Sequence, residues 1–187
     1  APDAALTVTY ADGRRYGGRV KDGVPSGSHG MMKYADGSFY EGDRDEFGRR
    51  RGRGRCVAPD YTYDGEWAED AAHGRGSLTT STFSYEGTFR DGAFHGRGRW
   101  RKADGSRSYE GEFESGEFHG AGKLERRSDG DDAGAWVSYV GEWRRGKRHD
   151  TGTCVYADGG TYVGEWRTGQ RHGVGTLTSA DGEEAYE

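Results

Sequence analysis

Isoleucine and asparagine are missing from all 187 residues, and only 31% of the chain is apolar against 32% charged. With so few aliphatic side chains, a thick aliphatic interior cannot be assembled. Cysteine is scarce too. Cys56 and Cys154 make no disulfide framework and read as reduced, half-buried thiols. There is no basic excess: the net charge is −5 and the pI near 5.7, which speaks against nucleic acid as a partner. No run of 18 apolar residues exists, so no stretch reads as a membrane-spanning helix. The first ten residues lack the charged and apolar regions of a signal peptide. A missing initiator Met and an end just inside a repeat make this chain, by expectation, a fragment of a longer protein.

What the chain does have is glycine (35 residues) and aromatics (13%), most at fixed phase. The stretch Tyr162-Val-Gly-Glu-Trp-Arg-Thr-Gly-Gln-Arg-His-Gly-Val-Gly175 returns at Tyr139, Tyr109, Tyr85 and Tyr63, and in degraded form at Tyr40 and Tyr16. Successive tyrosines stand 24, 23, 22, 24, 30 and 23 residues apart, the signature of a repeat array. The expected organisation is one array over 1–187. It has a partial repeat at 1–15, repeats starting at 16, 40, 63, 85, 109, 139 and 162, and a partial repeat from Tyr186. The spacing of 30 reflects an insertion, roughly Arg126–Trp136, that reads as a longer loop.

Within a copy, Tyr-x-Gly-x-Trp puts two aromatics and a glycine on one side of a strand, because strand side chains alternate. The acids between them, such as Glu110, Glu112 and Glu165, are expected to face water. His-Gly-x-Gly-x-Leu/Trp alternates again as the return strand, and Asp-Gly at 36–37, 104–105, 158–159 and 181–182 signals the next turn through its tolerance of positive φ. Each copy is therefore expected to be a β-hairpin, with rings lying across glycines of adjacent strands. One hairpin cannot hide its aromatic face, whereas stacked hairpins can. The fold class is all-β: an elongated, single-layer, twisted antiparallel sheet of tandem hairpins.

Tyr-x-Gly-x-Trp-x-x-Gly-x-x-His-Gly-x-Gly resembles the MORN (membrane occupation and recognition nexus) repeat over residues 16–187. Val20, Arg44, Asp70 and Asp150 depart from the pattern. The resemblance implies a ribbon serving assembly and recognition, cytoplasmic and associated with cytoskeletal, ciliary or membrane-linked structures. Some members lay a partner helix or peptide along the groove and some pair into homodimers. Related repeats also precede lipid-kinase and methyltransferase domains, so a targeting region of a larger enzyme is a further alternative.

The residues that could carry chemistry also have plain structural roles. The histidines His73, His95, His119, His149 and His172 stand one per copy, about two strand widths apart, too far to share a zinc ion. Gly141–Arg148 has the outline of a phosphate loop but lacks the Ser or Thr and the helix that motif needs. Paired acids such as Glu110 and Glu112 have nothing apolar around them to shift a pKa, and read as cross-strand partners for Arg and Lys. No catalytic residue, metal or cofactor is expected.

Two binding features remain. The partner-binding groove is assigned to Tyr63, Trp67, Tyr85, Phe89, Tyr109, Phe113, Tyr139, Trp143, Tyr162 and Trp166, with Phe94 and Phe118 exposed by phase near the hairpin turns. Its partner would be a protein helix or extended segment, or a second copy of the chain. Arg49, Arg50, Arg51, Arg53 and Arg55 form a dense basic cluster that could meet an acidic partner or make peripheral contact with anionic, phosphoinositide-bearing lipid.

Overall fold

The computed structural model describes residues 6–127 and 135–186. Among them there is no helix; sixteen of the eighteen strands form one antiparallel sheet whose neighbours follow chain order. Two compact units divide the chain, Ala1–Ala93 and Phe94–Glu187. In the first, β1 (Leu6–Thr9), β2 (Arg15–Gly18) and β5 (Gly27–Lys33) lead into β6 (Phe39–Arg44), β7 (Arg50–Val57), β8 (Tyr61–Ala68), β9 (Ala71–Thr80) and β10 (Phe83–Arg90). The remaining strands, β3 (Val20–Lys21) and β4 (Val24–Pro25), form a separate two-stranded ribbon. In the second unit, β11 (Ala93–Lys102), β12 (Arg107–Glu114), β13 (Glu117–Arg126), β14 (Trp136–Arg144), β15 (Lys147–Tyr156), β16 (Thr161–Arg167), β17 (Gln170–Thr178) and β18 (Glu184–Tyr186) run in order. The insertion expected between Arg126 and Trp136 lies, apart from its ends, outside the described residues.

A glycine pair sets the geometry of each copy. Gly65 of β8 faces Gly76 of β9, and a Cβ on either would collide with the ring of Tyr63 and, at Gly65, with backbone 2.5 Å away. The missing side chains leave room for the tyrosine to lie flat on the sheet. Immediately after this pair the register skips: Glu66 faces His73, and two residues of the return strand bulge out. The Tyr63 hydroxyl donates to the Glu66 carbonyl at that bulge, 2.7 Å away. The same bond recurs from Tyr40 to Asp43, Tyr85 to Thr88, Tyr109 to Glu112, Tyr139 to Glu142 and Tyr162 to Glu165, at 2.8–3.2 Å. Each tyrosine therefore fills the ring layer and also satisfies a carbonyl that the bulge removes from the ladder.

The turns divide the work differently from expectation. At 36–37, 104–105 and 158–159 only the glycine takes a positive φ (Gly37 86°, Gly105 70°, Gly159 93°), while the aspartate accepts from the backbone N–H two residues on: Ser38, Ser106 and Gly160. The tight two-residue turns with positive φ at both positions are instead Asp22-Gly23, Glu69-Asp70, Asp91-Gly92, Ser115-Gly116, Arg145-Gly146 and Thr168-Gly169. The first copy is a further correction. It is not one continuous hairpin, because its tip separates as the β3–β4 ribbon. Val20 stands where later copies carry an aromatic, so the position that places a ring against the tyrosine in other copies, as Trp67 is placed against Tyr63, has none here.

Candidate interaction surface

The ten tyrosines, tryptophans and phenylalanines of the predicted track are 1–6% exposed or fully covered, and so constitute the core. They interlock edge to face. In the first unit Trp67 stands between Tyr40 and Tyr63 at 5.4 and 4.8 Å, and Phe89 between Tyr63 and Tyr85 at 5.0 and 5.1 Å. In the second, Trp143 bridges Tyr109 and Tyr139, and Trp166 bridges Tyr139 and Tyr162, at 5.1–5.6 Å. Each such pair contributes about 0.5–1.5 kcal/mol beyond burial. The tryptophans also reach back one hairpin: Nε1 of Trp67, Trp143 and Trp166 donates to the carbonyl of Gly54, Gly122 and Gly152.

What the ring face offers outward is a second layer. The residue just before each histidine sits beside the Trp or Phe of its own hairpin, as register shows for Ala72, Phe118, Arg148 and Arg171. Phe94 and Phe118, expected exposed, are half-buried in this layer. Phe118 stacks flat on Tyr109, with centroids 3.8 Å apart and planes 10° from parallel, because the tyrosine lies flat on its glycines and leaves a ring-sized ledge. Trp100 leans on Phe118 at 6.1 Å. Farther along the second unit, the Arg148 guanidinium lies over Trp166 at 4.0 Å and over Trp136 at 4.8 Å. Its Nη2 donates to the Gly169 carbonyl. Burial pulls the Arg148 pKa down, and no carboxylate lies within ion-pair distance among the described residues. Trp136, Arg148, Tyr156, Trp166, Arg171 and Leu177 line a cavity of about 510 Å³, with Asp158, which makes no ion pair to Arg148, as its one acid.

Sequence reasoning did not single out Trp100, Trp136, Arg148, Tyr156 or Arg171. For Arg148 and Arg171 the available signal was positional, one place before a histidine, but it becomes meaningful only once the flat tyrosine is known; Trp100, Trp136 and Tyr156 carried no such signal. The basic cluster is partly engaged within the chain. Arg49 pairs with Asp45 at 2.8 Å and Glu69 at 3.4 Å; Arg50 pairs with Asp70 at 3.0 Å and stacks on Trp67 at 4.1 Å. Arg51, Arg53 and Arg55 are exposed, opposite Asp43, Glu66 and Asp64 in the ladder.

The acids differ from expectation in one respect. Glu110 does pair across strands, with Arg99 at 3.0 Å, but the acid at the bulge turns inward to it: Glu66 accepts from the Arg75 N–H, and Glu112 and Glu165 lie against Gly120 and Gly173. Among the described residues, no three metal-binding side chains converge.

No curated protein matches the chain. The family model for the MORN repeat matches residues 63–82, 85–107, 109–130, 139–161 and 162–184, each beginning at the tyrosine that lies on the glycine pair or at its equivalent in the next hairpin. Covering more than half of the residues, those matches show that the chain belongs to the MORN repeat family, whose repeats are generally protein- or lipid-interaction modules and typically not catalysts.

Proposed function

We propose that this protein is a non-catalytic scaffold that binds an extended or helical protein segment along its ring face. The observation that carries the reading is the cavity in the second unit. Arg148 is half-buried between Trp136 and Trp166 without a carboxylate partner, beside the apolar edge of Leu177. A cation held between apolar walls suits a segment that brings an acidic side chain flanked by apolar ones. Phe94, Trp100 and Phe118 extend the contact surface along the same unit, over the buried tyrosine and tryptophan track. A second copy of the chain and a cytoskeletal or ciliary setting belong to the same proposal, on family resemblance alone.

The test is peptide display against the full chain. Enriched peptides should be amphipathic and acidic. Their binding should fall about tenfold or more in Trp136→Ser and Arg148→Gln, the scale of a lost interface anchor, and persist in Arg99→Glu, which changes an exposed strand charge. Equal loss in all three folded variants, or no enrichment, sinks the reading. The lipid alternative has less support, since Arg49 and Arg50 already have carboxylate partners.

A further inference from the structure

Away from the ring-face cavity, the first unit contains a cation that its own fold leaves incompletely bonded. Arg44 stands where later copies carry Trp67, Phe89, Phe113, Trp143 or Trp166, and its side chain takes their buried place at 6% exposure. A tryptophan there has one N–H to satisfy. Arginine has five, in a rigid fork. Only Nη1 finds a protein acceptor, the Gly48 carbonyl at 2.6 Å, and the guanidinium lies over the Tyr40 ring at 4.9 Å. Nε and Nη2 are buried and donate to no protein atom. A buried charged donor without an acceptor is costly, and no carboxylate of the described residues pairs with Arg44.

Arg44 lines a cavity of about 780 Å³ between the β3–β4 ribbon and the β6–β7 turn. Its walls bring Arg19, Lys21, Arg49 and Arg51 to the same space as Arg44. Two acids share the rim. Asp45 is bound to Arg49 and accepts from the Phe47 and Arg49 N–H groups of its own turn, and Glu46 is exposed. Five cations against these two acids and Glu69, which also pairs with Arg49, leave the cavity positive within a protein whose net charge is −5.

We infer that this cavity binds a phosphate group, with the incompletely bonded Arg44 guanidinium at its buried end and the rim cations as its outer shell. A phosphate monoester supplies what the site lacks: a charge of about −1.5 to −2 and three acceptor oxygens. A single carboxylate would neutralise less of the surrounding charge, and guanidinium forks match phosphate oxygens in pairs. The two departures of the N-terminal copies then have one explanation. Replacing the ring at position 44 creates the fork, and the separated β3–β4 tip opens the space above it.

The experiment uses the full chain and inorganic pyrophosphate as the probe, followed by calorimetry. Arg44→Trp restores the ring found at this position in other copies, and Lys21→Gln with Arg51→Gln changes only the rim. Saturable binding by the parent chain is expected, weakened about tenfold or more in Arg44→Trp, as for loss of charge-assisted hydrogen bonds, and weakened with a shallower salt dependence in the rim variant. A parallel flotation with vesicles carrying a phosphorylated lipid, with pyrophosphate as competitor, distinguishes sources. Pyrophosphate-sensitive flotation assigns the phosphate to a headgroup, and binding in solution without flotation assigns it to a soluble ester. The inference is overturned if the parent chain takes up neither, or if Arg44→Trp, shown folded by its melt, binds as well as the parent.

Discussion

The tyrosine hydroxyl and the glycine beneath its ring test the same contact from two sides. Tyr109→Phe keeps the ring on Gly111 and Gly122 and removes the hydrogen bond to the Glu112 carbonyl, 2.9 Å away. Loss of one such bond to a part-buried acceptor should cost about 1–2 kcal/mol. Gly122→Ala should cost more, about 3 kcal/mol, because a Cβ would enter the space of the Tyr109 ring and neither ring nor strand can retreat. Urea melts of the two variants give the order directly; an equal or reversed order would show that the ring is not clamped. Burial also pushes the tyrosine hydroxyls up, to about 12 at Tyr40 and Tyr85 against 10.0 unfolded. The sign follows: the folded state holds these protons more tightly, so their stabilising contribution is complete below pH 10.0 and is lost as pH rises to about 12. Absorbance at 295 nm should therefore rise cooperatively with loss of strand signal. A smooth rise near pH 10.0 that accounts for all twelve tyrosines in a folded chain would contradict the burial.

At the scale of the hairpin, strain is concentrated in turn residues that are not glycine. Thr168 has φ 55° at the first position of the β16–β17 turn, a conformation unfavourable to a β-branched side chain. Gly169 follows it at φ 87°, so Thr168→Asn creates Asn-Gly, the pair best suited to a two-residue turn. The substitution should stabilise the chain by about 0.5–1 kcal/mol, read as a shift of the urea midpoint without a change in slope; an unchanged or lowered midpoint would refute it. Hairpin existence and strand phase were legible in the sequence because Tyr-x-Gly-x-Trp and His-Gly-x-Gly impose period two with a fixed glycine pair. The bulge was not. Its cause is a tyrosine hydroxyl and a glutamate carboxylate turning into the backbone, which hydropathy cannot register. The outward layer was likewise hidden: Phe118 and Arg148 occupy equivalent places, yet their common role depends on a ring lying flat beneath them.

For the molecule as a whole, connectivity decides how stability is distributed. Among the described residues the sheet order follows the chain, so a hairpin draws its strand partners from its sequence neighbours. The aromatic core is one tyrosine and one Trp or Phe per intact copy, repeated along the described residues, with Met32, Cys56, Leu124 and Cys154 buried beside it. This was the part most readable from the sequence, since a fixed period in a chain so poor in aliphatic residues leaves few other ways to bury aromatic rings. Stability should then behave as a sum of hairpin and neighbour terms. Removing the last copy, residues 162–186, takes away Tyr162 and Trp166 and leaves Tyr139 still in contact with Trp143. The shortened chain should keep its strand spectrum. Its urea slope should fall in rough proportion to the surface no longer buried, and its midpoint should fall modestly through loss of one interface. If the shortened chain instead loses strand signal throughout, the copies are bound into a single cooperative core that the neighbour-by-neighbour pairing does not account for.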